Sequence, residues 1–244
     1  MFGTELRLTQ ADGSVLAGAE LAGRTLSFDL PGGQAVRLRI DTVIRDPQDP
    51  RGEILLYRFL REDPADGVWR PLCPPAPDGL PVGFALRGAW DAGGRYRSGA
   101  DDITLVCASG AIGKCLRMGY RLWGEAADGT PLHLFHQACT RAMRADYCGD
   151  GTSHTRDGTP IRIGDRLGLL DAAEAPDAVF EGLWGPDGAL CLARPRLADA
   201  ESLEDLVAAC PRLEGRIGQA CRAAQFAETP AALLLSYGAA DPMR

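Results

Sequence analysis

Asp-Gly occurs seven times in this chain, at Asp12, Asp66, Asp78, Asp128, Asp150, Asp157 and Asp187. The dipeptide favours the positive backbone angles of a tight hairpin turn, and several copies lie between segments in which apolar and polar residues alternate. Residues 25–30 set Leu26, Phe28 and Leu30 against Thr25, Ser27 and Asp29; Gly32-Gly33 then turns the chain. Residues 36–44 continue with Val36, Leu38 and Ile40 against Arg37 and Arg39. With further strands over 5–9 and 53–60, residues 1–70 read as an N-terminal antiparallel β subdomain with one buried and one wet face.

Prolines interrupt the pattern over 71–81. Strands resume over 82–90, 103–107, 116–123, 161–167 and 179–184. One helix is well marked. Thr130 suits an N-cap and Pro131 the first helical position, and Leu132, Phe135, His136, Cys139 and Met143 share a face up to an end near Ala145. Ser202 caps a short helix holding Leu203, Leu206 and Val207, and Pro211 opens another; the tail from Thr229 has no clear assignment. There is no fixed-period repeat and no long linker, so 71–244 forms a second domain or continues the first. The expected class is α+β, mainly antiparallel β with a few helices.

The chain carries eight cysteines: Cys73, Cys107, Cys115, Cys139, Cys148, Cys191, Cys210 and Cys221. An even, dispersed set without Cys-x-x-Cys fits disulfide staples better than a zinc knuckle or a thioredoxin-like motif. The alternative is reduced, buried thiols in a cytosolic protein. A straight helix over 211–224 sets Cys210 and Cys221 roughly 16 Å apart, beyond the about 7 Å that a bridge spans. Either Gly215 and Gly218 break that helix, or the two cysteines pair elsewhere. Bridges imply a secreted or periplasmic location, although no leader is visible at Met1-Phe2-Gly3-Thr4.

The net charge of -7 and pI near 5.0 argue against a nucleic-acid partner, despite the local density of Arg141, Arg144 and Arg156. No apolar run reaches the about 18 residues of a membrane span. Oligomeric state leaves no signal.

Reactive side chains concentrate in 133–165. The central stretch is His133-Leu-Phe-His136-Gln-Ala-Cys139-Thr-Arg141-Ala-Met-Arg144-Ala145-Asp146-Tyr147-Cys148-Gly149, followed by His154-Thr155, Gly158-Thr159 and Asp165. The tetrapeptide Ala145-Asp146-Tyr147-Cys148 resembles the signature of the ADYC-domain family of bacterial proteins. The flanks agree: Cys107-Ala-x-Gly-Ala-Ile-Gly-Lys114-Cys115-x-Arg-x-Gly119-Tyr120 upstream, Gly158-Thr159-Pro-Ile161 downstream, then Phe180-Glu-x-x-Trp184 and Cys191. The resemblance covers roughly residues 4–225 and makes 71–244 an ADYC-like domain. It implies an exported bacterial protein and carries no established reaction, so no catalytic residue transfers with it.

The residues themselves allow several chemistries. His136, Asp146, Tyr147, His154 and Thr155 offer acid–base groups for a hydrolase or transferase, and Arg141 and Arg144 offer anion contacts. The bland reading has Asp146 capping the loop and Arg144 satisfying carbonyls. A binding module for a small polar or anionic ligand is the other functional class. His133, His136 and Cys139 are weak metal candidates, because the first and last lie about 120° apart around a helix; no cofactor is implied. A thiol dyad of Cys139 or Cys148 with His136 or His154 requires an unpaired cysteine. Residues 108–115 mimic a phosphate loop, but Cys115 lacks the hydroxyl and 116–123 read as strand. No Gly-x-Ser-x-Gly elbow occurs, and Trp90, Trp123 and Trp184 read as core.

Overall fold

The computed structural model describes residues 3–29, 35–99, 102–172 and 178–239. The first strands are β1 (Arg7–Thr9), β2 (Val15–Ala17), β3 (Thr25–Asp29), β4 (Ala35–Arg45), β5 (Leu55–Glu62), β6 (Trp69–Pro71), β7 (Gly83–Arg87), β8 (Ala89–Trp90), β9 (Tyr96–Arg97) and β10 (Ile103–Cys107). Helices α1 (Ala111–Arg117) and α2 (Leu132–Arg144) follow. Then come β11 (Ile161–Asp165), β12 (Ala178–Gly185), β13 (Gly188–Leu192), α3 (Leu203–Ala209), α4 (Gln225–Glu228) and β14 (Leu234–Ala239). The class is α+β, dominated by antiparallel ladders and stapled by disulfides. Asp-Gly turns three hairpins, with Gly13 at φ 83° between β1 and β2, Gly67 at 70° between β5 and β6, and Gly188 at 107° between β12 and β13. Among the described residues no helix is long and apolar enough to cross a membrane.

The chain divides into two compact units, Met1–Ala89 with Ser98–Arg117, and Trp90–Arg97 with Met118–Arg244. In the first, the strand order is β10-β7-β5-β4-β3, with β6 added to β5. The period-two pattern acts as expected in β4, where Leu38 and Ile40 are buried and Arg37 is exposed. Leu6, Leu21, Ile40, Tyr57, Phe59 and Ala85 form a core cluster. The Tyr57 hydroxyl accepts from the Leu6 N–H (2.8 Å) and donates to the Thr4 carbonyl (3.0 Å), tying the N-terminal segment to β5. Cys73–Cys107 staples the proline-rich loop to the end of β10. Arg117, at the end of α1, closes the same unit by pairing with buried Asp46 (2.8 Å) and with Asp78 (2.8 Å).

The second unit is a four-stranded sheet, β11-β14-β12-β13, against which α2 packs. Every residue of α2 from 135 to 142 is buried, so the helix is enclosed on all sides rather than amphipathic at the surface. Pro131 is the N-cap itself, one residue later than the Thr130 cap expected from sequence. Cys191–Cys221 ties β13 to the segment before α4. Cys115 and Cys139 are disulfide-bonded as well.

Two expectations need correction. Residues 116–123 do not form a strand: they hold the end of α1 and a turn at Gly119 (φ 103°). Leu116, Met118, Tyr120 and Leu122 alternate only by coincidence. Helix α1 does start just after β10, and Gly113 must be glycine because a Cβ there runs into the Cys107 carbonyl; Cys115 is nevertheless bridged and buried. Residues 211–224 form no helix but two 3-10 turns, Pro211–Leu213 and Gly218–Ala220, with Gly215 (φ 69°) and Gly218 (φ 60°) breaking the path. Cys221 accordingly pairs with Cys191 and not with Cys210. The unassigned tail supplies β14, the strand between β11 and β12. The expected turn at Gly32-Gly33 and the strand position at Leu30 lie outside the described residues.

Tyr57→Phe removes the acceptor for the buried Leu6 N–H. We expect a loss of about 1–3 kcal/mol, read as a lower urea midpoint with unchanged slope.

Candidate functional site

The motif begins where α2 ends. Ala145 takes a left-handed conformation (φ 50°, ψ 40°) and is the one non-glycine residue with positive φ among the described residues. This conformation costs an alanine roughly 1–2 kcal/mol. It is held by the Ala145 N–H donating to the Ala142 carbonyl (3.1 Å) and the Asp146 N–H to the Arg141 carbonyl (2.9 Å). The reversal turns the Asp146 side chain back under the loop that follows.

There the Asp146 carboxylate is saturated. Oδ1 accepts the N–H groups of Gly149 (2.8 Å) and Asp150 (3.1 Å). Oδ2 accepts the Gly151 N–H (2.9 Å) and the Arg141 guanidinium. Both ionic partners are buried. Arg141 also donates to the carbonyls of Gly93 (2.6 Å) and Pro186 (3.3 Å). Arg144 is exposed and donates to the Gly151 carbonyl. Gly149 (φ 72°) has no room for a side chain, because a Cβ runs into the Asp187 carbonyl.

Tyr147 points into the second unit's core, fully buried and stacked on Trp184 with ring centroids 5.5 Å apart. Its hydroxyl donates to Glu181 Oε1 (3.0 Å) and accepts from the Arg196 N–H (2.8 Å). Glu181 Oε2 accepts from Arg196 Nη2 (2.8 Å) and from the Ser236 hydroxyl (3.0 Å), and Ser236 accepts from the Trp184 indole (2.7 Å). The Arg196 guanidinium also caps α2 through the carbonyls of Ala142 (2.7 Å) and Met143 (3.1 Å). Burial pushes the Tyr147 phenol well above 10, and the nearby Glu181 charge adds to the rise.

The remaining candidates fall in different places. His154 is nearly covered; Nδ1 lies 2.8 Å from Glu201 Oε1, and its ring sits 5.3 Å from that of Tyr147. Thr155 is half-buried beside it. The His136 and His133 rings lie against Trp90 (6.1 Å) and Tyr96 (5.9 Å) respectively. Cys139 is disulfide-bonded, and a bridged sulfur is no thiolate ligand or nucleophile. Cys148 is unbridged, but burial and the adjoining Cys210 thiol push it up to about 12. Among the described residues no group of three or more His, Cys, Asp or Glu side chains is placed to hold a metal ion.

Sequence reasoning passed over Glu181, Arg196, Ser236 and Glu201. Glu181 had a signal, as a lone acid inside the apolar strand β12. Arg196 and Ser236 reach the network from distant segments and had none.

Asp146→Asn leaves Arg141 uncompensated and sets an amide N–H against a backbone N–H. Breaking a buried ion pair of this kind costs about 3–5 kcal/mol, measurable by chemical denaturation. Alkali gives a second check. Burial holds Tyr57 up to about 12 and raises Tyr120 and Tyr147 as well, while each ionises near 10 when unfolded. These groups contribute full stability below about pH 10 and lose it as pH rises through the folded values. Their phenolate absorbance should therefore appear together with the loss of near-ultraviolet circular dichroism.

A family model, the ADYC domain, matches residues 18–198 and so spans both the first sheet and the motif. No curated protein and no solved structure matches the chain. The saturated Asp146 turn and buried Tyr147 are thus how the signature tetrapeptide folds in this chain, which belongs to the ADYC-domain family.

Proposed function

We propose that the chain is an exported binding module for a small anionic or polar ligand, met by the rim of the motif loop: Arg144, Ser153, His154 and Arg156. The observation that carries this reading is the saturation of Asp146 and Tyr147. Both are buried with their polar atoms engaged by protein, so they hold the loop rather than meet a substrate. Arg141 points inside too, with Nε and Nη1 on backbone carbonyls. The rim itself is rigid, since the Ser153 hydroxyl and the His154 N–H both donate to the Arg144 carbonyl (3.1 Å each). Arg144 and Arg156 are exposed, and the Arg156–Asp199 pair (3.1 Å) is of the weak surface kind that an anion can replace. The bridged cysteines support an oxidising location, secreted or periplasmic.

One observation favours an enzyme as the second reading. Glu201 orients the His154 imidazole through Nδ1, as a carboxylate does for a general base. In that reading of a hydrolase or transferase, His154 is the base, and the expected trio His136, Asp146 and Tyr147 acts as scaffold.

The test titrates inorganic phosphate and citrate into the protein while backbone amide resonances are followed. Saturable millimolar shifts at 144 and 153–156 are expected, with about tenfold weaker binding in Arg144→Ala/Arg156→Ala at an unchanged melting temperature. Silence at the rim with both probes overturns the binding reading. Hydrolysis of chromogenic esters that is lost in His154→Ala and Glu201→Gln selects the enzyme.

A further inference from the structure

We propose that Cys148 and Cys210 are a fourth disulfide site, whose closure clamps helix α3 onto the motif loop. They are the two unbridged cysteines, the first half-buried and the second buried. Cys148 Sγ lies 3.7 Å from the carbonyl of Ala209, next to Cys210 in sequence, and the adjoining Cys210 thiol is one of the groups that raise the Cys148 thiol. The backbones on both sides are already in register. Arg212, two residues beyond Cys210, donates to the carbonyl of Tyr147 (2.5 Å), immediately before Cys148, and to that of Asp187 (2.7 Å).

Helix α3 needs such an anchor. Leu206 is its one buried side chain, and Glu204, Asp205, Ala208 and Ala209 are exposed. The segment before it is tied to the loop by the partly covered His154–Glu201 pair and the exposed Arg156–Asp199 pair. Every other cysteine of the chain is already bridged, so conditions that oxidise those pairs act on this one too.

The oxidant is a disulfide, either of a small molecule or of a partner protein. One cysteine, as thiolate, attacks it and expels one thiol, leaving a mixed disulfide. The second cysteine then attacks the mixed disulfide and expels the other thiol. The chain loses two protons and two electrons, and the oxidant becomes two thiols.

The experiment refolds the full chain in oxidised and reduced glutathione, alkylates it under denaturing, non-reducing conditions, and maps the peptides by mass spectrometry. A Cys148–Cys210 peptide alongside Cys73–Cys107 and Cys191–Cys221 is the expected result. Alkylation of both Cys148 and Cys210 in chains where those two bridges have formed overturns the proposal, as does either cysteine linked elsewhere. A cycle of Cys148→Ala, Cys210→Ala and the double variant supplies the second readout. A bridge predicts melting temperatures lowered by roughly 5–10 °C in each single variant and by no more in the double. Additive losses mark two independently packed thiols and overturn the bridge.

Discussion

A buried carboxylate gathering its own backbone holds the centre of the second unit together. Asp146 neutralises Arg141 and collects three successive N–H donors, each of which is costly to leave unsatisfied away from water. Because the acid sits one residue past a left-handed turn, helix, turn and loop are a single electrostatic object. Removing any part leaves a charge or a row of donors without a partner. Breaking such a pair is far more costly than its net contribution suggests.

Tyr147 extends this centre in the opposite direction. Its ring fills the core against Trp184, while its hydroxyl joins Glu181, Arg196 and Ser236 in a buried polar network that also caps the end of α2. Two neighbouring residues of the signature therefore solve different problems. The acid shapes the loop, and the phenol fastens it to the sheet. A tetrapeptide of mixed chemistry looks like reactive machinery when written as a string. Here the polar atoms of its acid and its phenol are used up internally.

Much of the architecture was legible because it rests on local rules. The Asp-Gly turns at Asp12, Asp66 and Asp187 joined strands as hairpins, and α2 stopped at Ala145, close to where its pattern ran out. What was missed depends on distance along the chain or on rare backbone. The apolar run at 233–235 gave no period because its strand lies between two others. Helix α1 was hidden by an accidental alternation across Gly119. At the candidate site, the grouping of Arg141, Arg144, Asp146 and Tyr147 followed from proximity in sequence. Whether Asp146 faced solvent or its own loop depended on Ala145 adopting a conformation that alanine seldom takes. Glu181, Arg196 and Ser236 meet only once the sheet has closed.

The place of β14 in its sheet bears on how that sheet is assembled. Ribosomal synthesis delivers β11, β12 and β13 well before residues 234–239, yet β11 and β12 touch only through that last strand. Until it emerges, the nascent hairpin of β12 and β13 carries an open row of backbone donors and acceptors, the kind of edge that invites pairing with a foreign chain. Completion of this unit therefore waits on the last of its strands to be synthesised, and the aggregation hazard of the nascent polypeptide is concentrated in that interval.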